Sequence, residues 1–368
     1  MCIANTDLNI QHYTCNIQHT ITHIPILVLN WNNASDTLAC LTSLQQLVGP
    51  SFQVWVLDNG SDADDLSQLK SAFPDDNRFT LLTHPTNLGF TQGVNYLLET
   101  LVLPQDYKYV ALLNNDTEVE PQWLEALLAE AETTSAGMVA SKMINFFDRD
   151  HLDNVGHFIL NTGEILPLGH DEPSSTYTQP MTNMGACAGA ALYRVDMLRD
   201  IGIFDTFFNT GYEDAELGLR ATLTGYHCRF APKAIVYHKI SRSINKIRDY
   251  KYTLKIQIDV FYTAMKCWPR PNLIINMPFF AAKIVLISIM NLIFGRWKFM
   301  RVLIHALKNV LFIQNRLIRT QRQHFQSIRK NKLPWWQFQH KLTFFLTFDM
   351  QRFYKYIWKR EKMVFEKY

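Results

Sequence analysis

Through the first 240 residues, short apolar runs alternate with amphipathic segments, the pattern of a sheet covered by helices on both faces. Pro25 to Leu29 reads as a strand and Ala34 to Leu47 as the helix behind it. Phe52 to Leu57 predicts a second strand ending at Asp58, Asp62 to Ala72 a helix, and Phe79 to Thr83 a third strand. The apolar spacing from Gly93 to Leu101 predicts another helix, and Tyr109 to Leu113 is an unbroken apolar strand running into Asn114, Asn115 and Asp116. Pro121 opens a helix whose Leu124, Leu127, Leu128 and Ala131 share one face. Three strands therefore end in polar residues, at Asn30, Asp58 and Asp116. In an open, mostly parallel sheet, ligands bind beyond the carboxyl ends of the strands, so these three are expected to converge.

A second pattern begins further on. Residues 272–294 are nearly all apolar, broken by Pro278 and Lys283, and are long enough to cross a hydrocarbon core of about 30 Å. Behind them come 17 more Lys and Arg, a tail that the positive-inside tendency disfavours exporting. Helices lying in a membrane interface, a re-entrant or spanning hairpin, and ordinary core helices are all compatible with the run. Trp297, Trp335, Trp336, Phe338, Tyr354, Tyr356 and Trp358, interleaved with Lys and Arg, suit an anionic lipid surface. The same mix could bind RNA, but no stacking motif accompanies it, and nucleic acid is not an expected partner.

Composition sharpens this division. The 368 residues are 48% hydrophobic, enough for a large buried core. The net charge of +3 hides an asymmetry: 26 of the 36 Lys and Arg, but only 5 of the 33 Asp and Glu, follow His238. An acidic body is joined to a basic tail. Six cysteines without a Cys-x-x-Cys pair indicate neither a structural zinc site nor a disulfide framework, and fit a cytoplasmic setting. The polar stretch 1–22 lacks the features of a secretory signal and reads as a loosely packed lead-in.

Four segments carry candidate chemistry. In Val56-Leu57-Asp58-Asn59-Gly60-Ser61, an Asp at a strand end can accept the imide N–H of a uracil or thymine ring; the same residues are also a common turn. In Leu113-Asn114-Asn115-Asp116, hard oxygen ligands suit Mg²⁺ or Mn²⁺ bound to a diphosphate, or simply begin a loop. Gly211 to Arg220 opens a helix with three acids. One of them could be a general base, or all three could complement the helix dipole, with Glu216 pairing Arg220. Pro232 to His238 is an apolar strand ending in an imidazole, structural or metal-ligating.

In this order, these elements resemble the inverting family 2 glycosyltransferases of GT-A fold, particularly a bacterial rhamnosyltransferase-like branch. The resemblance spans about residues 24–240. It is carried by Val28-Leu29-Asn30-Trp31-Asn32, Leu57 to Ser61, Asn87-Leu88-Gly89-Phe90 with Asn95, Leu113 to Thr117, Gly185-Ala186-Cys187-Ala188-Gly189-Ala190, Gly202 to Asp205, Glu213-Asp214, Arg220, and Pro232 to His238. It implies an α/β GT-A domain over 23–240, with the lead-in 1–22 before it; the region 241–368, which the resemblance does not cover, is expected from its apolar and basic pattern to be α-helical and membrane-associating.

The resemblance also implies roles. Asn30 and Trp31 line the nucleoside pocket, Asp58 holds the base, and Asn87, Gly89, Asn95, Asn114 and Asn115 belong to the donor side. Asp116 is the metal ligand, with His238 a second one, for Mg²⁺ or Mn²⁺. Asp214 is the catalytic base, supported by Glu213 and Arg220, and Gly185, Ala186, Gly189 and Tyr212 border the acceptor. The implied partners are a nucleoside diphosphate sugar, dTDP-rhamnose or a UDP-sugar, a glycan or lipid-linked glycan, and a membrane surface at the cytoplasmic face of the inner membrane, met as a peripheral or monotopic protein. A catalytically weak module binding nucleotide or glycan is the alternative. The chain departs from the family pattern where many relatives have two acids in the metal motif, and where Tyr252 to Ile256 replaces a Tyr-x-x-Arg-Asn stretch.

Overall fold

A computed structural model describes residues 23–209, 211–239, 250–293, 297–328 and 333–352. The lead-in 1–22 and Tyr354, Tyr356 and Trp358 of the tail lie outside the described residues.

The first half alternates β1 (Ile24–Asn30), α1 (Ala34–Gln45), β2 (Phe52–Asn59), α2 (Ala63–Ser71), β3 (Phe79–His84), α3 (Gly89–Leu97) and β4 (Tyr109–Leu113). Helix α3 starts four residues earlier than its apolar spacing predicts, because the Asn87 side chain accepts the Gly89 N–H at 2.7 Å and so starts the helix at Gly89. The chain continues through β5 (Thr117–Val119), α4 (Trp123–Thr134), β6 (Met138–Asn145), β7 (Leu152–Asn154), β8 (His157–Leu160), β9 (Ile165–Pro167), β10 (Met181–Asn183), β11 (Ala190–Arg194), α5 (Val195–Ile201), α6 (Glu213–Leu223) and β12 (Cys228–His238).

Ten strands form one sheet in the order β10-β12-β6-β11-β4-β1-β2-β3, with β5 on β12 and β7 on β6. Strands β3, β2, β1 and β4 are parallel, as their crossover helices require, but β11 runs antiparallel between β4 and β6. The expected mostly parallel sheet is thus a mixed one. The chain from β6 to β11 holds no crossover helix, so β11 meets β6 head to tail.

Alternation along the strands fills a core on each face. Ile26, Val28 and Val54 pack with Leu41 and Leu44 of α1 and Trp123 and Leu127 of α4, while Leu27 and Leu57 pack with Val94 and Leu97 of α3 and Leu217 of α6. Each such side chain, fully buried, contributes about 1.5–3 kcal/mol. A slip of one residue in β1 would exchange the two faces and move Asn30 off its partner in β2.

After residue 250 come α7 (Tyr250–Cys267), α8 (Arg270–Ile293), α9 (Trp297–Lys308), α10 (Asn315–Ile328), α11 (Trp335–Lys341), β13 (Leu342–Thr343) and α12 (Phe345–Arg352). These elements are not a detached tail. Ala264, Cys267 and Trp268 share a core with Ala215 and Leu219 of α6, and β13 pairs in parallel with β8. Tyr262 stacks on Phe207 at a centroid distance of 3.7 Å, and Lys266 reaches Glu216 at 2.9 Å and Asp205 at 2.6 Å. Among the described residues, no helix is long and apolar enough to cross a membrane. In α8, Asn272 and Asn276 are fully buried, and their amides bond to Gln339.

Candidate active site

Register builds the first part of the site. Asn30 lies opposite Asp58 in the β1–β2 ladder, and its Nδ2 donates to Asp58 Oδ1 at 2.9 Å and to Asp65 Oδ2 at 2.9 Å, while its Oδ1 accepts the Thr37 hydroxyl at 2.7 Å. Asn30 is completely buried and holds Asp58, which is equally buried at the strand end. Asp58 Oδ2 accepts the Ser61 N–H at 3.2 Å. Trp31 is exposed at the strand end, available for a flat ligand.

The neighbouring wall is a set of amide contacts. Buried Asn59 donates to Asn87 Oδ1 at 3.2 Å and to the Gly89 carbonyl at 3.1 Å, and accepts the Leu88 N–H at 3.0 Å. Gly60 has φ +73°, and a Cβ there would stand 2.4 Å from the Thr86 carbonyl carbon, so only glycine fits. Gly89 also has a positive φ, +76°, and a Cβ there would run into the Asn209 side-chain oxygen. Asn95 turns toward the loop after α5: its Nδ2 donates to the Phe204 carbonyl at 2.8 Å, which holds α3 to that loop, while its buried Oδ1 has no hydrogen-bond partner.

The metal motif joins this frame through Thr37. Asn115 Nδ2 donates to Thr37 Oγ1 at 2.9 Å, so an unbroken chain runs Asp58–Asn30–Thr37–Asn115. Asp116 sits beside the end of β12. Its carbonyl accepts the Lys239 N–H at 2.9 Å, and its Oδ1 lies 3.4 Å from His238 Nε2. His238 Nδ1 lies 2.7 Å from Asp153 Oδ2. Asp153 escaped the sequence reading; it is the extra residue of a bulge in β7, where Met143 faces Asn154 and Ile144 faces Leu152, and a bulge re-aims a side chain. The sequence carries no signal for it, because β7 is three residues long and far from the motif.

Electrostatics tie this trio together. Burial alone would depress the His238 imidazole, but Asp116 and Asp153 push it up to about 10. Burial alone would raise Asp153, but hydrogen bonds with His170 and His238 hold it far below the usual range. Asp116 is likewise held low by His238, against burial. The buried Nε2 has no well-directed hydrogen-bond partner. Without a cation the raised imidazole is protonated and pairs with Asp116; a divalent cation between Nε2 and Oδ1 would take the place of that proton, and a carboxylate behind the ring is the arrangement that presents a histidine to such a cation. Asp116 and His238 therefore fit Mg²⁺ or Mn²⁺ as two protein ligands. Among the described residues no three His, Cys, Asp or Glu side chains converge to hold one ion, and the positions left open on a cation held by two ligands would suit diphosphate oxygens.

The third part is the start of α6. Tyr212 has φ +80° just before the helix, a conformation costing about 1–3 kcal/mol in a non-glycine residue. Its hydroxyl accepts the Ile165 N–H at 2.9 Å and donates to the Gly163 carbonyl at 3.3 Å, pinning the helix start to the β8–β9 hairpin. Asp214 Oδ2 accepts the Ala188 N–H at 3.0 Å, and the next residue along that strand entry, Gly189, gives its carbonyl to the Asn114 N–H at 2.8 Å for the neighbouring motif. Burial, then the charge of Asp214, pushes Glu213 up to about 8, and its Oε2 has no hydrogen-bond partner. Buried His157, also missed from the sequence, places Nε2 4.0 Å from Asp214 Oδ2, and burial lowers its pKa against the pull of Asp214.

Gly185 and Gly218 let the segment before β11 cross α6: a Cβ on Gly218 would stand 2.6 Å from the Gly185 Cα. Gly185 and buried Ala186 back the site, and Gly189 lies against the Asn114 amide. Arg220 does not support Asp214 as the resemblance implied. It pairs with Glu216 at 2.9 Å and donates to the carbonyls of Ile201, Gly202 and Ile203, a buried clamp on the loop after α5.

Comparison with known proteins bears on the family and the fold. Residues 26–202 match the model of glycosyl transferase family 2. The chain is 25% identical over 258 residues, 67% of its length and 19% of the relative's, to the O-antigen biosynthesis protein RfbC of Myxococcus xanthus. It is 25% identical over 203 residues, 52% of its length and 22% of the relative's, to the uncharacterized protein y4gI of Sinorhizobium fredii. The chain thus spans about a fifth of the length of these curated relatives. The crystal structure of GalNAc-T7 with UDP, GalNAc and Mn²⁺ superposes with a TM-score of 0.53 at 12% identity, covering 68% of this chain and 48% of that one, a likeness of fold. With Asp58 and Asp116 inside the matched segment and Asp214 and His238 folded onto it, this chain carries a family 2 glycosyltransferase domain of GT-A-like α/β fold.

Proposed function

We propose that the protein is an inverting glycosyltransferase that moves a sugar from a uracil or thymine nucleoside diphosphate, a UDP-sugar or dTDP-rhamnose, to a hydroxyl of a growing, lipid-linked glycan in cell-surface polysaccharide synthesis. It works at the cytoplasmic face of the inner membrane as a peripheral or monotopic protein. The observation that carries this reading is the Ala188–Gly189 turn, which bonds Asp214 on one side and Asn114 of the metal motif on the other. A base and a diphosphate site held by adjacent residues suit a single in-line displacement at an anomeric carbon.

In that reaction, Asp58, held by Asn30 and Ser61, accepts the imide N–H of the base, and exposed Trp31 stacks beside it. Asp116 and His238 would hold the divalent cation, which would offset charge on the diphosphate. Asp214 takes the proton from the acceptor hydroxyl. Glu213 keeps its own proton up to about pH 8, which spares the helix start a second adjacent negative charge. The place in polysaccharide synthesis is supported by the likeness to an O-antigen biosynthesis protein. The test is release of nucleoside diphosphate from a panel of UDP-sugars and dTDP-rhamnose with glycan acceptors. Turnover lost in Asp214→Asn with donor binding retained supports the reading; turnover unchanged in that variant contradicts it.

A further inference from the structure

Helix α8 is amphipathic with its faces reversed. Its inward side carries the polar groups: Asn272 and Asn276 bond to Gln339, and Lys283 pairs with Glu164 at 2.8 Å. Its outward side is Ile274, Met277, Pro278, Ala281, Ala282, Val285 and Ile289, following the i, i+3, i+4 spacing of one helical stripe with no charged residue among them and a single half-buried hydroxyl, Ser288, on the same arc. Ile274 is 71% exposed, Met277 60% and Val285 57%. A water-facing helix would place these residues inside and the asparagines outside. A contiguous apolar face of this size on a described surface marks a partner.

Two observations identify the partner. First, between Asp259 and Asp349 the chain has no Asp or Glu and 14 Lys and Arg, of which Arg301, Lys308, Arg316 and Arg319 are exposed on α9 and α10. Basic charge on the helices that follow the apolar stripe complements an anionic lipid leaflet. Second, half-exposed Trp335 and Trp336 stand where α11 meets the start of α8, the Trp335 carbonyl accepting the Asn272 amide at 3.0 Å. Tryptophan belongs at the headgroup level of a bilayer.

We infer that α8 is the membrane-docking element, lying in the plane of an anionic phospholipid leaflet with the Ile274–Ile289 stripe in the acyl region, Trp335 and Trp336 at the headgroups and the basic residues of α9 and α10 on lipid phosphate. At about 1.5 Å per residue, the 24 residues of α8 lie along some 36 Å of surface. The buried Asn272 and Asn276 and the ion-paired Lys283 keep one face out of the lipid, so the helix lies on the leaflet without crossing it. Because α7 and β13 fix this region to the body at Glu216 and β8, docking also fixes the catalytic domain to the membrane. This inference rests on the membrane placement proposed above and supplies its element and its lipid chemistry.

The experiment is flotation of the full chain with vesicles of phosphatidylcholine, alone or with about 30% phosphatidylglycerol, at low and high salt. The protein is expected to float with the anionic vesicles. Met277→Glu with Val285→Glu, outward positions that disturb no packing, should cut flotation at least tenfold at either salt, whereas Arg316→Glu with Arg319→Glu should cut it mainly at low salt. Donor binding, measured on the same samples without vesicles, should be unchanged, which separates failure of docking from failure of the transferase reading. Wild-type protein that stays unbound, or a Met277→Glu/Val285→Glu variant that floats like wild type, overturns the inference. So does a wild-type dimer that this variant splits with no vesicle association, since the stripe would then cover a second copy.

Discussion

His238 Nδ1 and Asp153 Oδ2 lie 2.7 Å apart, and that contact turns the other ring nitrogen toward Asp116. A carboxylate behind a metal-ligating histidine fixes the tautomer and raises the basicity of the ligating nitrogen, and its loss costs about 10–100-fold in metal affinity. Asp153→Asn is therefore expected to weaken Mn²⁺ binding by that factor, read by electron paramagnetic resonance of free Mn²⁺. Unchanged affinity would show that the bulge in β7 is architectural only.

Asp214→Asn should lower turnover by about 10²–10⁴, the usual share of a general base, while leaving donor affinity close to wild type. A parallel loss of donor affinity, measured by calorimetry, would mean that the bond from Ala188 N–H organises the donor pocket and that Asp214 is not the base.

Glu213 ordinarily ionises near 4.5 and is pushed up to about 8 by burial and by Asp214. The unfolded chain releases this proton near pH 4.5, the folded chain only near 8. The group's contribution to stability is thus full below pH 4.5 and is lost as pH rises through 8. Glu213→Gln abolishes that loss, so its melting temperature should gain on wild type between pH 5 and about 8. A gap independent of pH would contradict the raised pKa.

Lys266 bridges Glu216 and Asp205 in a buried network that also holds Arg220. Lys266→Met leaves buried carboxylates short of a partner and should cost about 3–5 kcal/mol in urea unfolding. Loss of less than about 1 kcal/mol would place the docking of α7 on apolar contacts alone.

Gly218→Ala brings a Cβ to 2.6 Å from the Gly185 Cα, backbone against backbone. Overpacking of this kind costs about 1–3 kcal/mol and should tilt the start of α6, lowering turnover more than donor affinity. A fully active variant would show that the crossing yields without moving Asp214.

What the sequence made legible was the local part. Strand β4 emerges from an unbroken apolar run and was read to the residue, and Asn30, Asp58 and Asp116 at strand ends were legible because strand-end polar residues point to the ligand crevice. The partners of those residues were not legible. Asp153 and His157 reach the site by register and by a bulge, and neither register nor bulge is written in periodicity. Arg220 misled for the opposite reason: its position in the motif suited the base, whereas its guanidinium turns to carbonyls of the loop after α5. In α8 the apolar count was plain, but which face turns outward depends on Gln339 and Glu164, 63 residues ahead of Asn276 and far behind Lys283 in the chain.

The central claim is a nucleoside diphosphate site built on Asp58 and closed by a cation on Asp116 and His238. Thermal stabilisation of the full chain by UDP and dTDP, with and without Mn²⁺, in wild type and in Asp116→Ala, tests it most directly. The account predicts a shift that needs Mn²⁺ and disappears in the variant; stabilisation by neither nucleotide, or a shift that survives Asp116→Ala intact, would contradict it.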